Sequence, residues 1–218
     1  MRKKLKRFKQ NIERENVIQP GKKYFEQIKG NWRSIYFKNE NEIVLEVGCG
    51  RGEYTTGLAK IFPHKNFIGT DIKGVRIWVG SHLADRENLH NVVFLRIQVQ
   101  SIEKFFEKNE VNEIWLTFPD PRPKLSDERR RLTCPRFLNL YKNILQSGGL
   151  IHLKTDNEML FDYTLQVISN REDVRDIEYT RDLYKSDMLL EHYGIQTKYE
   201  SEYQAQGLTI KYLRFRLD

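Results

Sequence analysis

Between residues 43 and 170, short apolar runs alternate with stretches whose apolar residues recur at helical spacing. Ile43-Val44-Leu45-Glu46-Val47 is a run of strand type, and Tyr54, Leu58, Ile61 and Phe62 then share one face of a helix. Asn66 to Asp71 predicts a second strand and residues 75–86 a second helix. A third strand is expected over Val92 to Ile97, a short helix over 101–107, and a fourth strand over Glu113 to Phe118, ending at Pro119. Pro135 suits the first turn of a helix, whose stripe is Phe137, Tyr141, Ile144 and Leu145 and whose stop is Gly148-Gly149. Leu150 to Leu153 predicts a fifth strand, and Phe161, Leu165 and Ile168 a further helix. Leu208 to Leu217 reads as a long last strand with Leu213, Phe215 and Leu217 on one face. Such alternation folds as an α/β protein, a mostly parallel sheet with helices on both faces. The last strand, outside the alternation, is expected to join antiparallel. Ligands of these sheets sit beyond the C-terminal ends of the strands. The stretches to inspect are therefore Glu46 to Gly52, Asp71, Gln98, Thr117 to Lys124, and Lys154 to Glu158.

Composition adds limits. The chain has 218 residues, 39% of them hydrophobic, which suits one domain with a real core. No apolar run approaches the ~20 residues of a membrane span, and Met1 to Arg7 lacks the apolar centre of an export signal, so a cytoplasmic protein is expected. His64, His82, His90, His152 and His192 show no ligand spacing, and Cys49 and Cys134 stand far apart, so neither a metal site nor a disulfide framework is expected. The net charge of +7 is uneven: residues 1–33 hold 11 Lys/Arg against 3 Asp/Glu, and the rest is nearly neutral. That divides the chain into a basic N-terminal arm (1–33) and a domain (34–218). An arm of this charge points to a polyanionic partner through counterion release, the alternative being a solvated terminus that aids solubility.

The first crossover reads Glu46-Val47-Gly48-Cys49-Gly50-Arg51-Gly52-Glu53. The alternating glycines Gly48, Gly50 and Gly52 admit positive φ and a close approach of ligand to backbone. A nicotinamide fingerprint needs a glycine where this chain has Glu53. A carboxylate at that helix start, with Glu46 just before the loop, repels phosphate and suits a cationic ligand. S-adenosylmethionine fits, with its sulfonium, its ammonium and no phosphate. Asp71, 19 residues after Gly52 at the end of the second strand, is placed to accept both ribose hydroxyls.

The fourth strand runs into Phe118-Pro119-Asp120-Pro121-Arg122-Pro123-Lys124. Its prolines restrict φ and hold Asp120 where a methyl acceptor would lie. Lys124, Arg129, Arg130, Arg131 and Arg136 follow, an anion-attracting stretch in which Arg129, Arg130 and Arg131 are expected to contact phosphates, the alternative being the solvated face of a helix.

With these residues assembled, the chain resembles the bacterial tRNA (guanine-N7)-methyltransferases, which modify a guanosine of the tRNA variable loop. The matching stretches are Glu46 to Gly52, Phe118-Pro119-Asp120-Pro121 with Lys124, Arg130-Arg131, Ile151 to Glu158, and Thr197-Lys198-Tyr199-Glu200. The resemblance spans residues 43 to 217 and implies a Rossmann-like class I methyltransferase sheet of seven strands. It further implies that Glu46, Asp71 and Asp120 serve the cofactor, with Asp120 the active-site carboxylate. Lys124, Asp156, Thr197, Lys198, Tyr199 and Glu200 would contact the guanosine or its tRNA. Gln98 stands where the family usually carries an acidic residue near the cofactor's adenine, and an amide can still bond that edge. Arg122 stands where the family usually carries an aromatic, and a guanidinium can stack on a base as well.

Thr155 to Glu158 also has the spacing of a helix capping box, whereas Thr197 to Glu200 by itself reads only as the start of a surface helix. Glu46, Asp71 and Asp120 are expected to form one negative recess. Two other readings remain at this stage: exocyclic amino methylation, whose Asp/Asn-Pro-Pro-aromatic motif is absent, and a non-catalytic RNA-binding protein on the same fold. Either a monomer or a homodimer is compatible with the sequence.

Overall fold

The structure, a computed structural model, describes residues 3–218; Met1 and Arg2 of the expected arm lie outside the described residues. Eight strands form one sheet: β1 (Val17–Ile18), β2 (Ile43–Val47), β3 (Asn66–Asp71), β4 (Val92–Arg96), β5 (Val111–Thr117), β6 (Leu145–Thr155), β7 (Val174–Thr180) and β8 (Lys211–Leu217). Their spatial order is β1-β4-β3-β2-β5-β6-β8-β7. Neighbours from β1 through β6 pair parallel, and β8 runs antiparallel to both β6 and β7. The strand expected outside the alternation is therefore the one reversed strand.

Helices α1 (Lys3–Glu13), α2 (Glu53–Ile61), α3 (Gly74–Arg86), α4 (Pro135–Ile144), α5 (Glu158–Ser169) and α6 (Lys198–Ala205) complete the chain with short tight turns. Alternation along the strands divides the core between the two faces of the sheet. Ile43, Leu45 and Val47 of β2 join Ile114, Phe137, Tyr141 and Phe161 on the α4/α5 side. Val44 joins Tyr54, Leu58, Phe67, Ile77 and Phe94 on the α2/α3 side. Both faces of β2 are covered, as parallel sheets require, so all five of its residues are buried.

Three features depart from the sequence reading. The sheet has an eighth strand, β1, only two residues long, with Val17 opposite Phe94 and Ile18 opposite Leu95. The edge strand β7 was not expected, because Arg175, Asp176 and Glu178 leave it mostly exposed and without an apolar run. Gly148-Gly149 lies inside β6 and does not end α4: a Cβ at Gly149 would stand 2.6 Å from Leu145 and 2.9 Å from the Asn112 carbonyl.

The charge step at residue 33 does not coincide with a step in packing. Val17, Ile18, Ile28 and Trp32 are buried in the core. From α1 the Asn11 amide donates to the Gly74 carbonyl at 2.7 Å, and just beyond the helix Arg14 pairs with Asp85 of α3. The strand order reverses between β2 and β5, and the crevice beyond their C-terminal ends is where such a fold accepts a ligand.

Candidate active site

The turn from β2 into α2 is built from left-handed glycines, Gly48 at φ 79°, Gly50 at 55° and Gly52 at 71°. Gly52 has a second reason to be glycine: its Cβ would stand 2.5 Å from the Phe94 ring and 2.9 Å from Gly80 Cα, where α2 and α3 approach each other. At Gly50 nothing lies within 4 Å of that position, so its backbone faces open space. The Gly50 N–H donates to Asp71 at 3.1 Å and the Lys73 N–H at 2.7 Å. These two bonds fix the Asp71 carboxylate at the mouth of the crevice.

Glu46 is not in the recess. It shares the face of β2 that carries Val44, so it points under the first turn of α2 and is 2% exposed. There it accepts the Thr55 N–H at 2.8 Å and the hydroxyls of Thr55 and Thr117. Burial raises its pKa to about 7, against the hydrogen bonds from Thr117 and Thr55. It braces β2, α2 and β5 from beneath, while Asp71 and Asp120 open onto one cavity above.

At the end of β5 the chain turns sharply. Phe118 and Arg122 both hold φ near +48°, uncommon for residues with a side chain. Two residues so placed around Pro119, Asp120 and Pro121 mark backbone strain of the kind that gathers at functional sites. Asp120 stays accessible, with its side chain 62% exposed, and pairs with Arg122 at 3.0 Å.

Arg131 was expected on a phosphate, and the structure places it elsewhere. It is buried, lies 4.4 Å over the Tyr163 ring, and donates to the Arg122 carbonyl at 3.1 Å. Arg129 and Arg130 are exposed, and Arg130 lines the cavity while pairing with Asp127 at 3.0 Å. Lys124 is exposed beside the cavity without lining it.

The two Thr-x-x-Glu segments exchange their expected roles. At β6 the chain remains extended through Thr155, so the cap of α5 falls on Asn157, which accepts the Leu160 N–H at 2.9 Å. At α6 the full reciprocal capping box forms between Thr197 and Glu200. Glu200 is fully buried, as is Lys154, and the two meet at 2.7 Å. His192 and the Tyr184 hydroxyl also reach Glu200, at 3.2 and 2.9 Å. Burial lowers Lys154 to about 8 against the pull of Glu200. Glu200 itself is held below its ordinary value, because its bonds from His192, Lys154 and Tyr184 outweigh burial.

Thr197 and Glu200 are thus the anchor of a helix and not groups free to touch substrate. Lys198 is exposed and its backbone N–H donates to Glu53 at 3.3 Å, tying α6 to the start of α2. What α6 delivers to the cavity is Tyr199, together with Tyr203, which the sequence reading missed. Tyr203 lies four residues on, the helical spacing that puts it beside Tyr199, and its ring centroid is 6.5 Å from Tyr199 and 6.4 Å from Phe118.

The cavity has a volume of about 730 Å³. Gly48, Asp71, Gln98, Asp120, Asp156 and Tyr199 line it, and Gly50 and Gly52 do not. Its charge is mixed, since Lys73, Arg76, Arg122 and Arg130 stand there with the three carboxylates. A recess of both signs suits a zwitterion better than a simple cation. S-adenosylmethionine fits these residues: the size lies within the range of small-molecule sites, and Asp71 is fixed to accept from hydroxyl donors. Among the described residues no group of three or more His, Cys, Asp or Glu could hold a metal ion, and no helix is long and apolar enough to cross a membrane.

A sheet reversing at β2/β5, a glycine turn into α2 and an acid ending β3 define a Rossmann-like class I methyltransferase. A solved 16S rRNA methyltransferase, KamB, has the same fold, with a TM-score of 0.63 at 14% identity over 93% of this chain and 99% of that one. The family model described as "Putative methyltransferase" matches residues 40–213. The tRNA (guanine-N(7)-)-methyltransferase of Cytophaga hutchinsonii is 51% identical over 98% of this chain and 97% of its own, and that of Listeria monocytogenes 35% identical over 88% of each. The chain belongs to the tRNA (guanine-N7)-methyltransferase family.

Proposed function

We propose that the chain transfers a methyl group from S-adenosylmethionine to N7 of a guanosine in tRNA, in the cytoplasm, with Asp71 and Asp120 as the carboxylates that serve the donor and the base. The observation that carries this is the single cavity shared by Asp71, Gln98, Asp120, Asp156 and Tyr199 at the sheet's reversal point. Bound S-adenosylmethionine supplies a methyl group made electrophilic by its cationic sulfur. Asp71 accepts the ribose hydroxyls, and the Gln98 amide meets the adenine edge.

Guanine N7 carries an unprotonated lone pair in the ring plane, so no residue needs to act as a base. Alignment is the chief requirement, and the proline-bound Asp120 with the Tyr199 and Tyr203 rings meets it by holding the base. Asp120 accepts hydrogens from N1–H and the 2-amino group and offsets the positive charge that the ring gains. N7 lies on the major-groove edge, hard to reach in a regular RNA helix, so the base must be exposed or locally opened. Exposed Arg129, Arg130 and Lys124, with the basic segment 1–33, attract the surrounding phosphates.

The direct test is incubation with labelled S-adenosylmethionine and tRNA, followed by borohydride/aniline cleavage at the modified base. Cleavage at a variable-loop guanosine is expected, and label on an exocyclic amine would overturn the reading. Asp71→Ala is expected to weaken S-adenosylmethionine binding at least tenfold, about 1.4 kcal/mol, by calorimetry. Unchanged affinity would remove Asp71 from the cofactor's contacts.

A further inference from the structure

Asp120 already has a partner, and that partner presents the chemistry expected of the substrate. The Arg122 Nε lies 3.0 Å from one Asp120 oxygen and the Arg122 backbone N–H 3.4 Å from the other. A guanidinium offers a carboxylate adjacent N–H donors in one plane, as the N1–H and 2-amino edge of guanine does. The two sets of donors compete for the same two oxygens. Two-point pairing with a base through Asp120, as assigned under the proposed function, is therefore strongest once Arg122 has turned away.

The surroundings allow the side chain to leave while the backbone stays. Pro121 and Pro123 flank Arg122, and its carbonyl is held at 3.1 Å by the buried Arg131, itself seated 4.4 Å over Tyr163. Tyr163 is fixed in turn by Glu128 at 3.0 Å. The ion pair itself faces water, with Arg122 38% and Asp120 62% exposed, so screening leaves it weakly held. A phosphodiester beside the bound base is a bidentate competitor for the guanidinium. Arg130, on the same cavity wall and 66% exposed, adds to the field that draws a phosphate there.

We propose that Arg122 is a substrate-operated gate. In the free protein its guanidinium pairs with the Asp120 carboxylate; when RNA binds, a phosphate takes the guanidinium and frees both Asp120 oxygens for the guanine edge. A guanosine without flanking phosphates has only neutral donors and displaces the charged pair poorly. The gate therefore favours RNA over free nucleosides before any sequence is read.

The test rests on the proposed function, so wild-type methylation of tRNA at guanine N7 is mapped first; its failure sinks that reading and the gate with it, whereas the variants below overturn the gate alone. Arg122→Gln is then compared with wild type on tRNA and on free guanosine over a salt series. The KM for tRNA is expected to rise and the slope of its salt dependence to fall by about one unit, as for one lost phosphate contact. Transfer to guanosine is expected to rise about threefold, the strength of an exposed ion pair, with S-adenosylmethionine affinity unchanged. Arg122→Lys keeps a charge for the phosphate and is expected to restore the slope. Loss on both substrates alike, or a salt slope that does not move in Arg122→Gln, overturns the gate. Should Arg122→Gln not fold, the decision passes to Arg122→Asn, a residue that tolerates positive φ, whose tRNA salt slope must fall and whose guanosine rate must rise for the gate to stand.

Discussion

Asp120→Asn is expected to lower the single-turnover rate of tRNA methylation by 10²-fold or more, about 2.7 kcal/mol, while S-adenosylmethionine affinity stays within about threefold of wild type. The reasoning is electrostatic. Methylation at N7 leaves the guanine ring cationic, so a fixed negative charge against it is worth more at the transition state than in the ground state. Asparagine keeps the shape and removes the charge. Its NH₂ also turns donors toward a base edge that presents N1–H and 2-amino donors, so one acceptor is exchanged for a clash. Phe118 and Arg122, both near φ +48°, with the prolines between them hold position 120 still, so the substituted side chain cannot escape by moving the loop. A single-turnover rate within threefold of wild type would remove Asp120 from the chemistry. A parallel fall in cofactor affinity would move its role to binding.

The central strands were legible because burial on both faces gives each a short apolar run, such as Val92 to Leu95 in β4. The antiparallel β8 was legible by the alternation of Leu213, Phe215 and Leu217, and elements with neither signal were not. β7 is an edge with charged residues outward, and β1 is too short to show a period. The site was legible in its letters and less so in its directions. Glu46 stands in a motif, yet the alternation Val44, Glu46 already places it on the covered face of β2, and burial follows from that parity. Arg129, Arg130 and Arg131 are identical as charge, and only the turn that carries them decides that Arg131 points inward. The two Thr-x-x-Glu segments are indistinguishable by spacing. β-pairing through Thr155 with Lys211 keeps the first one extended, and only the second can close a capping box. Tyr203 carried a signal of its own, the i+4 spacing from Tyr199, which has meaning only once α6 is known to be a helix.

The helix that brings those tyrosines is fastened by one buried charge pair, so Glu200→Ala is expected to cost about 3–5 kcal/mol in urea unfolding. Removal of Glu200 leaves the Lys154 ammonium buried without its counter-ion and strips the α6 cap of its reciprocal bond. Lys154→Met in the same chain removes the orphaned charge and is expected to recover a large part of the loss, since well-packed apolar residues often replace a buried pair without penalty. Acid should have the matching effect on wild type. With its pKa held below the ordinary 4.5, Glu200 contributes its full stabilisation above that value and loses it as the pH falls through the lowered one. The gap between wild type and Glu200→Ala should therefore be widest near neutrality and narrow in acid. In α6, loosening moves Tyr199 and Tyr203 before it moves the sheet, so the KM for tRNA should rise in Glu200→Ala at urea concentrations where far-ultraviolet dichroism is still native. A loss below about 1 kcal/mol, or one that Lys154→Met deepens, would mean that the apolar contacts of α6, and not this pair, hold the helix over the cavity.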